Sequence, residues 1–281
     1  MTAVGAEVTG FKVGDTVGVG CLVDSCRRCE SCQEGLENYC TGGSVGTYMG
    51  VDKHTGGRPY GGYSTAITVD QDFVLRIPAG MDLAATAPLL CAGITTYSPL
   101  RHWKVGPGSK VGVVGLGGLG HMAVKLAAAM GAHVVVFTTT ESKKADAKAL
   151  GAHDVVLSTD AADMKRYAGE LNLLIDAVSV PHSLDPEVRC LKRDGSVVLL
   201  GVPPTPHPSP RVGLIISGRR AISGTSIGGI KETQEMLDFC AEHNITADIE
   251  RIPMQEINTA HERMIKSDVK YRFVIEMESL K

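Results

Sequence analysis

The strongest constraint on this chain is the run Gly115-Leu116-Gly117-Gly118-Leu119-Gly120, which directly follows the apolar segment Val111–Val114 and opens a helical segment. A Gly-x-Gly-x-x-Gly run carries little weight alone. Between a strand and a helix it specifies the first turn of a nucleotide-binding βαβ unit. Gly115 permits the tight turn, Gly117 lets backbone amides approach a pyrophosphate, and Gly120 lets the helix pack closely on the strand. Gly118 and Leu119 complete the turn, and the helix N-terminus adds partial positive charge. The competing reading is a strand–turn–helix with a structural role only.

The surrounding pattern extends that unit. Strands are predicted at Val111–Val114, His133–Phe137, Val155–Leu157, Leu173–Val178, Ser196–Leu200 and Ala221–Gly224. Helices are predicted between them at Leu119–Met130, Ser142–Leu150, Ala161–Ala168, Ser183–Leu191 and Val212–Ser217. Several strands are unbroken apolar runs, as expected when both sheet faces are covered. Six such strands joined by helices predict an α/β fold, a doubly wound parallel sheet of the Rossmann type. The segment Val202–Pro208 holds four prolines and is predicted as a loop at a strand's carboxyl end. Residues 1–80 are instead rich in glycine and β-branched residues, with strand-like alternation at Thr65–Val69 and Phe73–Ile77. A helical stretch follows over Asp82–Trp103, with a break expected near Pro99. A last helix is expected at Lys231–His243, then a β–α–β tail ending in Tyr271–Met277.

The end of the second strand speaks to the choice of dinucleotide. An NAD site carries Asp or Glu about 20 residues after the glycines, bonded to the ribose 2′-hydroxyl. Here that position is Thr138, in Thr138-Thr139-Thr140-Glu141-Ser142-Lys143-Lys144. Hydroxyls of Thr138, Thr139 and Thr140, with the Lys143 ammonium, suit a 2′-phosphate and favour NADP. Two features pull the other way. Glu141 is within reach of a ribose, and threonines before a helix also serve as ordinary caps.

Five of the eight cysteines fall between Cys21 and Cys40. Cys26, Cys29, Cys32 and Cys40 read C-x2-C-x2-C-x7-C, a spacing that lets four thiolates close tetrahedrally around one zinc ion. An iron–sulfur run would have a shorter last gap followed by proline. Four thiolates leave no open position, so the expected role is structural. Cys21 lies outside the spacing and reads as a packed thiol. Cys190 and Cys240 read as core, and from its surroundings alone Cys91 reads as a lone buried cysteine.

At 281 residues the chain suits two domains. A net charge of −3 and a pI near 6.3 argue against nucleic-acid partners. No stretch reaches the length of an apolar membrane span, and the first twenty residues lack a signal-peptide core. A cytoplasmic protein is expected.

These residues together resemble the zinc-containing medium-chain alcohol dehydrogenases. The likeness is strongest to the cinnamyl-alcohol-dehydrogenase-like branch and its bacterial NADP-dependent aldehyde reductases. It rests on Gly14–Cys21, the four-cysteine loop, Gly35–Cys40, Gly61–Ser64, Pro88–Tyr97, the glycine run and Gly228-Gly229. The resemblance implies a GroES-like β domain over residues 1–86, a nucleotide domain over 87–228, and a return to the β domain over 229–281. It implies that Cys91 is a catalytic zinc ligand and that Thr95 packs beside the nicotinamide. Val178, Gly201, Val202 and Ser226 would line the cofactor cleft, and Arg272 would lie near the pyrophosphate. The implied reaction is reversible reduction of aldehydes to primary alcohols by NADPH, with a homodimer formed through the nucleotide domain.

Relatives also carry an N-terminal Cys-x-Ser/Thr-Asp-x-His motif and then a Gly-His-Glu motif, which supply the other catalytic zinc ligands and the proton relay. This sequence begins after both, and His54 is the only histidine in residues 1–80. The expectation is a GroES-like domain lacking its N-terminal part, with open strand edges and uncovered apolar surface. A non-catalytic, zinc-stabilised NADP-binding protein is the second reading, and a zinc-loop interaction or redox module the third.

Overall fold

The computed structural model describes residues 1–280. The chain forms two compact units, Met1–Ile94 together with Ile227 onward, and Thr95–Ser226. The first unit begins with β1 (Val17–Val19), β2 (Leu22–Asp24), α1 (Glu30–Gln33), β3 (Val45–Gly46) and β4 (Val74–Arg76). β1 pairs antiparallel with β4, and β2 antiparallel with β3. β4 lies inside the predicted Phe73–Ile77 run. The strand expected at Thr65–Val69 does not form. Its alternation supplies two faces, but residues 65–68 are exposed and no strand pairs with them, so there is no ladder to hold them extended. Tyr48, Met49, Val51, Tyr60 and Tyr63 expose apolar surface in the same stretch.

Helix α2 (Leu83–Thr86) starts at Asp82, whose carboxylate accepts from the amides of Ala84 and Ala85 at 2.9 and 3.3 Å. A 3₁₀ turn, Ala87–Leu90, leads to α3 (Ala92–His102). The break in this helical stretch falls at Cys91, not near Pro99. Cys91 leaves helical geometry at φ −128°, ψ −69°, and the flanking helices are bent by 55°. Pro99 is absorbed inside α3, where it forfeits one backbone bond without ending the helix.

The second unit contains β5 (Lys110–Val114), α4 (Gly120–Ala129), β6 (His133–Thr138), α5 (Lys143–Ala149), β7 (Asp154–Leu157) and α6 (Ala161–Lys165). It continues with β8 (Leu171–Asp176), α7 (Asp185–Cys190), β9 (Leu191–Leu199), α8 (Val212–Ile216) and β10 (Ala221–Gly224). All neighbours in the sheet are parallel, in the order β10-β9-β8-β5-β6-β7. This is the doubly wound order, with its reversal between β5 and β8, where such sheets bind ligands. Val111, Val113, Val135, Val136, Leu174, Ile175 and Val198 are fully buried, consistent with a sheet covered on both faces. β8 ends at Asp176, short of the predicted Val178, because Asp176 Oδ1 accepts from the Val178 amide at 2.9 Å and turns the chain. β9 starts earlier than predicted, at Leu191, and pairs with β8 through a register shift between Leu171 and Leu173.

The chain then returns to the first unit through α9 (Ile230–Glu242), β11 (Ile249–Pro253), α10 (Ile257–Ile265) and β12 (Arg272–Glu276). β11 and β12 pair in parallel, so the tail is the expected β–α–β. Gly229 is required by contact: a Cβ there would lie 1.7 Å from the Gly35 carbonyl oxygen, while the next amide, Ile230, donates to Glu37 Oε2 at 2.9 Å. No single helix among the described residues is long and apolar enough to cross a membrane.

Candidate functional site

The glycine turn sits at the carboxyl end of β5, beside the sheet's reversal point. Gly115 takes φ +85°, a conformation that favours glycine, and its amide donates to the Phe137 carbonyl at 3.0 Å. A Cβ on Gly120 would lie 1.9 Å from the Gly115 carbonyl oxygen, so any side chain there would push α4 off the turn. Gly117 is different. It is exposed, and a Cβ there would meet nothing within 4 Å. The chain itself therefore does not need glycine at 117; an approaching ligand would. Leu119, the N-cap of α4, supplies no capping side chain. A helix N-terminus over an open glycine fits a pyrophosphate.

The other expected cofactor residues of this unit gather around that turn. A Cβ on Gly115 would touch Val178 Cγ2 at 3.0 Å, and one on Gly201 would lie 2.1 Å from the Val178 carbonyl oxygen. Val178 and Gly201 thus meet beside Gly115. Val202 is 86% exposed on the loop after β9, and Ser226 is also exposed. At the end of β6, Thr138 is buried, and its hydroxyl accepts from the Thr140 amide at 3.2 Å. That hydroxyl is committed to shaping the turn, while Thr139 and Thr140 are exposed, their hydroxyl oxygens 3.5 Å apart. Lys143 reaches back over the glycine turn to donate to the Leu116 carbonyl at 3.3 Å. Glu141 pairs with Lys144 at 2.8 Å.

In the first unit, the four cysteines of the predicted zinc loop come together, their Sγ atoms all within 4.8 Å of one another. Cys29 and Cys32 are 3.5 Å apart, and Cys26 and Cys32 3.9 Å. Four sulfurs around a zinc ion at ~2.3 Å would be ~3.8 Å apart, so the set fits the ion. Backbone amides support thiolate charge here, the Cys26 amide facing Cys40 Sγ at 3.3 Å and the Cys29 amide facing Cys26 Sγ at 3.4 Å. Amide donation holds the Cys29 thiol down near about 5, the Cys32 amide contributing most, and that from Arg28 lowers Cys26.

Cys91 is neither buried nor alone. It is solvent-exposed and shares a thiol–thiol hydrogen bond with Cys21 across seventy positions of sequence. Donation from Cys21, helped by the positive charge of Arg272, lowers the Cys91 thiol to about 6. Cys21 is pushed up correspondingly by the bond to Cys91 and by burial, and its Sγ lies 3.6 Å from the Leu90 carbonyl oxygen. Thr95 is buried in the first turn of α3. A catalytic zinc ion takes three protein donors. Among the described residues, no histidine or carboxylate joins Cys91 and Cys21 in such a group, and these two residues alone do not fit the ion. His54 is exposed, with Nε2 3.6 Å from Asp24 Oδ2. Cys190 and Cys240 are core residues, as read from sequence.

One cluster is not visible in the sequence pattern. Asp176 at the end of β8, His182 in the following loop, Glu187 on α7 and His207 in the proline-rich loop converge in the second unit. Residues 176 to 207 are brought together by parallel strands that end at one edge, which no local spacing announces. The hydrogen bond to Glu187 raises His182 to about 9, and burial raises Asp176 and Glu187.

The chain matches two family models, the "Alcohol dehydrogenase GroES-like domain" over residues 1–79 and the "Zinc-binding dehydrogenase" over residues 118–242. It is 57% identical over 281 residues to the aldehyde reductase YahK of Escherichia coli, covering 100% of this chain and 80% of that protein. It is 54% identical over 282 residues to NADP-dependent alcohol dehydrogenase C 1 of Mycolicibacterium smegmatis, with the same coverage. Among solved structures, the cinnamyl alcohol dehydrogenase of Sorghum bicolor superposes with a TM-score of 0.94 at 49% identity, covering 98% of this chain and 78% of that one. The CAD of Helicobacter pylori, complexed with NADP(H), superposes at 0.91 with 43% identity, covering 99% of this chain and 79% of that one. A glycine turn at the reversal point of a doubly wound sheet, a four-cysteine loop in a small β unit, and this degree of identity place the chain in the zinc-binding, GroES-like alcohol dehydrogenase family.

Proposed function

We propose that the chain is an NADP(H)-linked oxidoreductase acting on aldehydes and primary alcohols. The observation that carries this reading is the open Gly117 at the sheet's reversal point, with Lys143 anchored over the same turn and the hydroxyls of Thr139 and Thr140 exposed at the end of β6. A dinucleotide bound there supplies hydride at its nicotinamide C4. The glycine turn and the first amides of α4 would hold the pyrophosphate. Thr139, Thr140 and Lys143 would hold the 2′-phosphate, with the Glu141 charge compensated by Lys144. Val178, Gly201, Val202 and Ser226 would line the crevice, and Thr95 would pack beside the nicotinamide ring. Cys26, Cys29, Cys32 and Cys40 would hold a structural zinc that ties the loop of the first unit together. Cys91, kept as thiolate by Cys21 and Arg272, would present a soft anionic ligand at the head of α3.

The test is calorimetric binding of NADPH and NADH to the purified chain, followed by aldehyde-dependent NADPH oxidation. Tight NADPH binding with turnover supports the assignment. Failure to bind either dinucleotide removes it, and preference for NADH removes only the choice of cofactor. A homodimer through the nucleotide unit is supported by the outer position of β10 in the sheet and by exposed Val212 and Ile216 on α8. Light scattering decides that point. Eight free cysteines suit the reducing cytoplasm.

A further inference from the structure

We propose that Asp176, His182 and His207, with Glu187 beside them, form a second metal site in the nucleotide unit, one that takes a divalent first-row cation of the zinc type. The ligand atoms of Asp176, His182 and His207 all lie within 4.8 Å of one another. His182 Nε2 is 3.3 Å from Asp176 Oδ2 and 2.9 Å from Glu187 Oε1. Imidazole and carboxylate donors around one zinc ion at ~2.0–2.1 Å would stand ~3.4 Å apart, so little movement is needed to close on an ion.

Two observations favour a cation over a plain ion pair. The first is the outer hydrogen bonding of the two imidazoles. His182 Nδ1 lies 2.9 Å from the Val180 carbonyl oxygen, and His207 Nδ1 lies 3.0 Å from the His182 carbonyl oxygen and 3.3 Å from the His182 amide nitrogen. His182 can thereby donate its Nδ1 proton to backbone and keep an Nε2 lone pair for an ion, and His207 does the same in the tautomer that donates to the His182 carbonyl, the arrangement that orients metal-bound histidines. The second is that His207 Nε2 and Glu187 Oε2 are buried and have no partner within the protein. Glu187 is 5% exposed, and a buried carboxylate oxygen left unbonded is costly.

The site spans the loop after β8 and the proline-rich loop after β9, so a bound ion would clamp together two loops at the carboxyl edge of the sheet. Asp176 Oδ1 meanwhile keeps its bond to the Val178 amide. None of the four residues belongs to the cysteine loop, and the inference stands independently of the substrate assignment.

The experiment is titration of the metal-free full chain with Zn²⁺ against a chromophoric chelator, comparing the native protein with His182→Gln and His207→Gln. Circular dichroism and thermal melting show whether each variant is folded. His207 lies in an irregular loop, so its variant keeps the comparison available if His182→Gln unfolds. The native chain is expected to bind one more equivalent than each folded variant. With Co²⁺ that equivalent adds weak visible bands without thiolate charge transfer, since no cysteine takes part. Equal zinc equivalents in the native chain and His207→Gln overturn the proposal and leave a hydrogen-bonded ion cluster. An extra equivalent carrying thiolate charge transfer overturns it as well, because that ion would sit on sulfur.

Discussion

Replacing Gly117 by alanine separates ligand geometry from folding. The new methyl would meet no protein atom within 4 Å, and the residue does not occupy the left-handed region that penalises a side chain. Folding stability should therefore stay level or rise by about 0.4–1 kcal/mol, because alanine has fewer unfolded conformations to lose. In a domain of this size that is a melting shift of a few degrees upward at most, at about 2–4 °C per kcal/mol. The cost should fall on the dinucleotide. A methyl at 117 holds the pyrophosphate away from the amides of the turn, forfeiting one hydrogen bond to a charged group worth about 1.5–3 kcal/mol. At 1.4 kcal/mol per factor of ten, Kd for NADPH should rise about 10- to 100-fold. Isothermal calorimetry and thermal melting on the same preparation read both quantities. Gly120→Ala is the opposite control. Its Cβ would lie 1.9 Å from backbone, so it should lower the melting temperature as well as the affinity. A Gly117→Ala protein that binds NADPH as tightly as the native chain would refute the placement of the pyrophosphate on this turn.

Lys143→Gln should weaken NADPH about tenfold or more, the scale of one lost charge-assisted bond, and leave NADH affinity unchanged; equal losses for both cofactors would show that Lys143 acts on the turn rather than on the 2′-phosphate. In metal-free protein, alkylation of Cys91 by iodoacetamide should rise with pH through a midpoint near about 6, as the thiolate forms, and Cys21→Ala should move that midpoint upward. Peptide mapping of the modified residue against pH checks both. Burial pulls Asp154 upward, but the Tyr167 hydroxyl, the Val155 amide and Arg166 carry it net below its ordinary value. Asp163 is likewise lowered, against burial, by the Leu157 amide and Arg166. Folded values below the unfolded ones mean stability that is present above about pH 4 and lost on further acidification. Replacing Arg166 by glutamine should flatten that acid limb in urea melts, and an unchanged limb would show that the pairing is worth nothing.

The elements that sequence located best are those whose signal is local. The glycine turn, the six strands and the final helix all announce themselves by apolar runs and by glycines between them, and the four-cysteine loop by spacing within fifteen residues. The misplacements have physical causes. Thr65–Val69 alternates like a strand but has no partner, and a strand is a property of pairs. Pro99 marks a lost backbone bond, but surrounding helix geometry absorbs it, and the chain bends instead at Cys91, a residue with no breaker chemistry. β8 ends where the Asp176 side chain captures a backbone amide, two residues before its hydrophobic pattern stops.

The chain's own order of residues determined that a parallel sheet would form, that its first turn would be open to a phosphate, and that four thiols would lie close enough for one ion. These follow from periodicity, from the absence of side chains at three glycines, and from loops too short to let the cysteines part. Tertiary structure alone decided that Cys91 meets Cys21, and that an aspartate, two histidines and a glutamate from four segments converge on one spot. Contacts of that kind are made by strands ending at a common edge and by returning chain, where neighbours in space are remote in sequence.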